Sequence, residues 1–187
     1  GLFTMVMLYA GLRRGEALAL NIDRDVDFAA GIIHVRHSLR FEHSDCLIVQ
    51  PKTKAGIRDV PLFPPLREAL TGRHGNVLAF QDVPKISKGI LNARWKQYLR
   101  FLSLVAQKKV LIRQHDCRHT FATMLYDADV DAKTAVKWMG HASESMIMQI
   151  YAHLTEKKEE SSIKRVETAL AKRTSSQNGS QHIEQAT

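Results

Sequence analysis

Cysteine is scarce in this sequence. The two cysteines, Cys46 and Cys117, are far apart and form no Cys-x-x-Cys pair. This scarcity argues against a disulfide framework and a cysteine-rich zinc module, and it fits a reducing, cytoplasmic setting. The apolar segment at residues 1–10 is too short to span a membrane, because the charged residue Arg13 follows it. No basic residues precede this segment, as they would in a signal peptide. We therefore expect neither a signal peptide nor a membrane anchor.

Positive charge, by contrast, is in excess. The 187 residues include 27 Lys and Arg against 19 Asp and Glu, which gives a formal net charge of +8. Polyanions are the natural partners of such a protein, although charge alone does not identify nucleic acid. The length suits one globular domain with a substantial apolar core.

The first residues predict a helix. Apolar side chains repeat there at helical spacing, at Leu2, Phe3, Val6, Met7 and Ala10. Neither a starting Met nor a capping residue precedes them. We therefore expect the chain to be a fragment of a longer protein, cut just before its second domain.

The remaining patterns predict an α+β fold that is mainly helical, with a small antiparallel β-sheet of about three strands near residues 31–61. Its strand segments, rich in β-branched residues or alternating in polarity, are 31–37, 46–50 and 57–61. Pro51 and Pro61 fit only strand ends or an edge strand. Helical spacing places further helices near residues 17–20, 90–106, 115–126, 132–139 and 145–152. Gly140 is well placed to end one of them, which leaves His141 just past a helix end.

The C-terminal part divides into a charged helix and a polar tail. From Glu156 on, Ile163, Val166 and Leu170 form a narrow apolar stripe, too narrow to stabilise an isolated helix. We expect this helix to dock on its own domain or on a neighbouring subunit. Residues 174–187 are rich in Ser and Gln, and we expect them to be disordered.

One short segment suits the binding of a phosphate. Cleavage of a phosphodiester without water needs a nucleophile, cations around the phosphate oxygens and an acid for the leaving oxygen. His115 and Arg118 are three residues apart, so on a helix they share a face and could grip one phosphate. A surface salt-bridge cluster is the alternative interpretation. His115 and His119 have the spacing of zinc ligands on a helix, but no His-Glu-x-x-His pattern accompanies them, and we expect no metal.

Other fragments are weak when taken singly. Arg13 lies in a tight turn with Glu16 one helical turn away. Lys52 and Lys54 fall on a predicted hairpin turn, where a flexible amine could reach into a groove or simply solubilise the surface. Tyr151 follows Gly140-His141 by about ten residues, and a tyrosine in an amphipathic segment is ordinarily half-buried in a core.

Taken together, the order and spacing of these fragments resemble the tyrosine recombinases, the phage-integrase group of site-specific DNA recombinases. The resemblance runs from residue 10 to residue 154. The motifs that carry it are Arg13 with Glu16 in Gly-Leu-Arg-x-x-Glu, Lys52 before Val60-Pro61-Leu62, His115 and Arg118 followed by His119-Thr-Phe-Ala122, Gly140-His141, and Tyr151.

The resemblance implies an organisation. Residues 1–173 would form the catalytic domain, and within it residues 155–173 would form a C-terminal helix that is exchanged between protomers. The N-terminal core-binding domain that family members use to close around DNA is absent from this chain. Partners would be double-stranded DNA at specific recombination sites and, on DNA, further copies of the protein forming a tetramer, with no membrane involved.

The resemblance also implies a mechanism. Tyr151 would attack the scissile phosphate and form a 3′-phosphotyrosyl bond, for integration or excision of a mobile element. Arg13 and Arg118 would neutralise the phosphate oxygens, with a hydrogen bond from His141, while His115 would position or deprotonate the tyrosine. Lys52, or Lys54 in its place, would protonate the leaving oxygen, and Glu16 would brace the neighbouring side chains. No cofactor, metal or ATP would be needed.

Three other hypotheses stay open at this point. A type IB topoisomerase uses the same chemistry, although the compact chain and the His-Asp-Cys-Arg-His-Thr pattern resemble the recombinases more closely. A DNA-binding module could have kept the fold and lost the chemistry, but each catalytic position is filled by the expected residue type. An unrelated basic helical protein would need all the motifs to agree by coincidence.

Overall fold

The computed structural model describes residues 1–42, 45–51, 53–77, 86–140 and 144–181. Helices account for most of this part of the chain and β-strands for a short central stretch, as the sequence predicts. The helices are α1 (Leu2–Tyr9), α2 (Arg14–Ala19), α3 (Ile22–Asp25), α4 (Pro64–Leu70), α5 (Lys88–Val105), α6 (Gln114–Asp127), α7 (Ala132–Met139) and α8 (Ser145–Gln181), with a 3₁₀ turn at Lys54–Gly56. The strands are β1 (Val26–Asp27), β2 (Ile32–Val35), β3 (Ser38–Glu42), β4 (Asp45–Val49) and β5 (Arg58–Pro61).

The strands form two antiparallel sheets rather than the single sheet expected. One described sheet has the order β1-β2-β5, with Ile33 opposite Val60, and the other is the hairpin β3-β4. The antiparallel type and the pairing of segments 31–37 and 57–61 are confirmed. Segment 46–50 pairs instead with β3, its neighbour in sequence, because a local hairpin closes a much shorter loop than a pairing with β2. Leu47 and Ile48 of β4 are exposed, so its apolar run does not mark a core strand.

The turn after α1 brings the first helix against α6. Gly11 has a φ of +60°, in the left-handed region that favours glycine. A Cβ at Gly11 would lie 2.2 Å from Cδ1 of Phe121 on α6, so a side chain does not fit there. This close approach sets the turn that carries Arg13 beside α6.

The starts of α5 and α7 and the end of α7 follow from their capping residues. The Ser87 hydroxyl accepts from the Ile90 amide at the start of α5, and Asp131 caps α7 through the Thr134 amide at 3.0 Å. Gly140 ends α7 in the left-handed conformation, with a φ of +65°. The predicted helix 132–139 and its end at Gly140 are therefore confirmed.

Buried apolar side chains form two clusters. The first joins α1, the β1-β2-β5 sheet, α4 and the start of α5, and its fully buried members include Met7, Leu12, Ile33 and Leu66. The second lies between α6, α7 and α8 and includes Phe121, Met139 and Ile147. Burial of each such large side chain contributes about 1.5–3 kcal/mol. Leu12 and Cys117, the neighbours of Arg13 and Arg118, belong to the first cluster, whereas Tyr151 packs against the second.

The last helix is continuous and extends away from the core. The segments 145–152 and 156 onward, expected as two helices, belong to α8. The helix also includes residues 174–181, where the composition predicted disorder, because extending an existing helix adds one hydrogen bond per residue. Residues 182–187 of the expected tail lie outside the described residues. Ile163, Val166 and Leu170 are exposed on α8. Among the described helices, none combines the length and the apolar composition needed to cross a lipid bilayer.

Candidate active site

The C-terminal end of α7 is surrounded by three arginines. The Nε of Arg58 donates a hydrogen bond to the Trp138 carbonyl oxygen at 2.6 Å, and Arg118 and Arg13 donate to the carbonyl oxygens of the next two residues. The last carbonyls of a helix have no partner within the helix and carry partial negative charge. The helix end therefore gathers cations from β5, α6 and the turn before α2 at one place.

Gly140 makes this arrangement possible. A Cβ at Gly140 would lie 2.7 Å from the Ala55 carbonyl oxygen and 2.8 Å from Cδ of Arg58. The helix end can approach β5 and the 3₁₀ turn this closely because no side chain intervenes. His141, the next residue and a predicted site residue, lies outside the described residues.

Glu16 is a buried carboxylate bound by two of the arginines. Its oxygens accept from Arg58 at 2.9 and 2.8 Å, and from the amide and Nη1 of Arg13 at 2.7 and 2.9 Å. Burial alone would raise the pKa of this carboxyl group, but hydrogen bonds and charge from Arg58, and then from Arg13, lower it to about 2. Glu16 is therefore ionised at neutral pH and fixes both guanidinium groups.

Arg118 is as fully enclosed as Glu16. Its side chain is buried, and its two Nη atoms donate to the carbonyl oxygens of Gly11 and Met139. Burial, followed by the charge of Arg13, lowers the pKa of Arg118 to about 9, while Glu16 acts in the opposite direction. A pKa of about 9 still leaves this guanidinium charged at neutral pH.

His115 lies one helical turn before Arg118, and both residues line the same cleft beside Trp95. The His115 imidazole packs edge-on against His119, with 4.5 Å between the ring centroids. Partial burial lowers the pKa of His115, and the charges of His119 and Arg118 lower it further. An imidazole normally titrates near pH 6.5, so His115 is mainly neutral at pH 7 and can accept a proton.

Further cationic side chains lie near Arg13 and Arg118. Arg14 lines the cleft with His115 and Arg118, and it also lines a second cleft that contains Arg13, Arg40 and Lys88. The two clefts therefore meet at Arg14. Basic side chains on both sides of this meeting point give a polyanion a continuous surface to follow.

Tyr151 is held away from the arginines. Its hydroxyl donates to the Val130 carbonyl oxygen at 3.1 Å, and its ring packs against Tyr126 with 5.1 Å between the centroids. Tyr126 is eight residues beyond Arg118 on α6, which is about 12 Å along the helix axis. Burial, and then the charge of Asp131, raises the pKa of Tyr151. Tyr151 is therefore neutral and half-buried against the second cluster. This position is the ordinary one for a tyrosine in an amphipathic segment.

The predicted proton donors are described only in part. Lys52 lies outside the described residues, whereas Lys54 is exposed at the start of the 3₁₀ turn that leads into β5. No group of three or more His, Cys, Asp or Glu side chains suited to a metal ion occurs within the described residues.

Comparison with known proteins identifies the family. Residues 1–158 match the sequence model of the phage integrase family. The chain belongs to the phage integrase family. This family match covers every motif on which the resemblance rests.

Relatives of this phage integrase family member include a prophage protein and a transposon protein. It is 33% identical over 174 residues to the prophage integrase IntR of Escherichia coli, and 28% identical over 171 residues to the transposase of transposon Tn916 from Enterococcus faecalis. These alignments cover 77% and 81% of the chain but only 40% and 41% of the relatives. The chain therefore spans about two fifths of the length of the curated relatives it matches.

A solved structure supports the fold. The Tn1549 transposon integrase in complex with circular intermediate DNA superposes with a TM-score of 0.69 at 23% identity. The superposition covers 88% of this chain and 59% of that one. At this identity the likeness establishes the fold, which is mainly helical with small antiparallel sheets.

Arg58 is the residue of this phage integrase domain that sequence reasoning missed. From the sequence alone, the segment around it predicts only an alternating strand. The alternation itself held the signal, because Arg58 and Val60 share the face of β5 that turns inward. An arginine on an inward face needs a buried partner, and Glu16 is that partner.

Proposed function

We propose that this chain is the catalytic domain of a site-specific recombinase that cleaves and rejoins DNA through a phosphotyrosyl bond. The observation that carries the proposal is the convergence of Arg13 and Arg118 at the end of α7. With Arg58 they bring three positive charges to one buried carboxylate, Glu16, which leaves an excess of two positive charges. Such an excess is suited to a phosphodiester whose oxygens gain charge in the transition state.

Arg13 and Arg118, the two clamp arginines, would bind the phosphate from different sides. The Arg13 side chain is 42% exposed, so its guanidinium can meet a phosphate directly. Arg118 is buried, but it lines the cleft that His115 also lines. A guanidinium carries five N–H donors, and the carbonyl and carboxylate contacts leave some of them for phosphate oxygens.

Proton transfer would be divided between neighbouring side chains. His115, neutral at pH 7, would position or deprotonate the attacking tyrosine. Lys52 or Lys54 would protonate the leaving 5′ oxygen, and His141 would add a hydrogen bond to the phosphate. Glu16 would hold the arginine side chains in place without reacting.

Tyr151 would have to move before it reacts. Its hydroxyl donates to the Val130 carbonyl oxygen, and its ring packs against Tyr126, which lies about 12 Å along the axis of α6 from Arg118. Because Tyr151 lies two turns into α8, any shift of this helix carries the tyrosine with it. We propose that residues 155–173 dock on a neighbouring protomer when DNA is bound, since Ile163 and Val166 expose apolar surface on that part of α8.

The biological setting follows from the relatives. We infer double-stranded DNA at specific sites as substrate, a tetramer on DNA, and integration or excision of a mobile element, because relatives include a prophage integrase and a transposon transposase. We also propose that residues 1–173 act together with an N-terminal core-binding domain elsewhere in the protein, and that the reaction takes place in the cytoplasm without metal or cofactor.

The proposal is tested by trapping the covalent intermediate. The protein is mixed with nicked DNA carrying its recombination site, in the absence of metal, and the products are separated under denaturing conditions. An adduct is expected with the unchanged protein and with Tyr126→Phe, the matched control, but not with Tyr151→Phe. Relaxation of supercoiled DNA without strand exchange would indicate a topoisomerase instead, and an adduct that survives Tyr151→Phe would contradict the assignment.

A further inference from the structure

We infer that Arg58 is a positioning residue for strand cleavage: it fixes Glu16 and the end of α7, and through them the two clamp arginines, without touching DNA itself. This inference rests on the proposed function, because it assigns a role within that reaction. It concerns a residue that none of the predicted motifs includes.

The first support is the contact with Glu16. Arg58 donates from Nη1 to one oxygen of Glu16 at 2.9 Å and from Nη2 to the other at 2.8 Å. A two-point contact between a planar guanidinium and a carboxylate fixes the rotation of both groups. The same two carboxylate oxygens accept from Arg13, so the orientation of Arg58 is passed on to a clamp arginine.

The second support is the contact with α7. The Nε of Arg58 donates to the Trp138 carbonyl oxygen, one residue before the carbonyl bound by Arg118 and two before that bound by Arg13. Three successive carbonyls are therefore held by three arginines. Since Gly140 packs directly against the Arg58 side chain, a shift of Arg58 would displace the carbonyls to which Arg13 and Arg118 bind.

The third support is the enclosure of Arg58. Both side chains of the Arg58–Glu16 pair are only 3% exposed. Arg118 is likewise buried but lines the cleft beside His115, whereas Arg58 lines neither of the two clefts described above and so presents no surface to a phosphate. A buried pair of this kind costs desolvation energy, and replacing both members by neutral groups of similar shape is often tolerated by the fold. We therefore expect the Arg58–Glu16 pair to matter more for the reaction than for the stability of the fold.

The test compares Arg58→Met, Arg58→Lys and the double variant Arg58→Met with Glu16→Gln. Single-turnover cleavage of nicked DNA should fall about 100-fold or more in each, because small misplacements of catalytic groups have effects of this size. The affinity for DNA should change by less than about threefold, because exposed cations supply most of it. Arg67→Met is the matched control: Arg67 is exposed and also donates to a distant backbone carbonyl, that of Phe28, and its cleavage rate should stay unchanged.

Thermal unfolding separates positioning from folding. Arg58→Met leaves the Glu16 carboxylate without its buried partner and should lower the melting temperature, whereas the double variant should recover it. Recovery of stability without recovery of the cleavage rate supports positioning. Recovery of both, or a normal cleavage rate in all three variants, overturns it.

A DNA-free measurement distinguishes this inference from the proposed function. Carbon-13 NMR of the Glu16 carboxyl group should show no titration down to about pH 4 in the unchanged protein, and a clearly higher pKa in Arg58→Met, where only Arg13 still opposes the effect of burial. If no protein forms an adduct but this shift occurs, the proposed function fails while the Arg58 contact stands. If the Glu16 carboxyl titrates alike in both proteins, the inference is overturned.

Discussion

The Tyr151 hydroxyl donates a hydrogen bond to the carbonyl oxygen of Val130, 3.1 Å away. Both residues lie at the end of α6 opposite to Arg118. The side chain proposed to attack DNA is therefore bound near the end of α6 that lies about 12 Å along the helix axis from Arg118.

The first prediction concerns the ionisation of Tyr151. Because burial and Asp131 both favour the neutral phenol, its pKa should lie above the ordinary value of about 10. Ultraviolet difference titration of the unchanged protein against Tyr151→Phe measures this pKa. Asp131→Asn, which keeps a good helix cap, should lower it. A Tyr151 that ionises below pH 10 would mean that the hydroxyl is not held as described.

The second prediction concerns Arg118. Arg118→Met removes the donor to the Gly11 and Met139 carbonyl oxygens, so it should abolish the covalent adduct and lower the free energy of unfolding. Leaving a buried polar group without a partner costs about 1–3 kcal/mol. Urea denaturation measures the loss.

Arg113→Met is the matched stability control for Arg118, because Arg113 lies at the start of the same helix and forms an exposed ion pair with Asp116. The control should cost less than about 1 kcal/mol. Equal losses of unfolding free energy in the two variants would show that the burial of Arg118 does not increase its contribution to stability.

The third prediction concerns stability in acid. The pKa of Glu16 is lowered from about 4.5 when unfolded to about 2 when folded, so its contribution is complete above pH 4.5 and is lost as the pH falls towards 2. The shift corresponds to about 3 kcal/mol. Urea denaturation should therefore show Glu16→Gln to be less stable than the unchanged protein at pH 6, with a smaller difference at pH 3. A difference independent of pH would contradict the ionised, paired state of Glu16.

The fourth prediction concerns Gly11. Gly11→Ala must accept both a φ of +60° and contact with the Phe121 ring, whereas Gly72→Ala meets only an unfavourable φ of +71° in open space. The Gly72 variant should lose about 1 kcal/mol. The Gly11 variant should lose about 1–3 kcal/mol more, because the added methyl group forces α1 and α6 apart. Thermal or urea unfolding of the pair checks this, and equal losses would argue against the close approach.

The sequence was sufficient for features governed by local pattern. Periodicity and capping predicted α7 with both its ends, and the spacing of Arg13 and Glu16 predicted their contact. The ordered set of motifs predicted the family. The local features depend on interactions between residues within one or two helical turns of each other. The family depends on motif residues that the resemblance already groups together.

Features set by distant contacts were not predicted. The role of Arg58 depends on Glu16, 42 positions away, and on a carbonyl 80 positions away. The position of Tyr151 depends on how α8 packs on α6, which the sequence of either helix alone does not specify. The separate β3-β4 hairpin was missed although β3 alternates in polarity, with Leu39 and Phe41 packed against the first cluster, because the choice of pairing partner depends on contacts between segments.

The most direct test of the account is to identify the residue and the DNA end joined in the covalent adduct. Nicked DNA carrying the recombination site is incubated with the protein and excess chelator, and the adduct is digested and sequenced by mass spectrometry. The account predicts a single peptide modified at Tyr151, joined to the 3′ phosphate, with a free 5′ hydroxyl on the released strand. A modification at another residue, attachment to the 5′ end, or a complete loss of the adduct in chelator would contradict it.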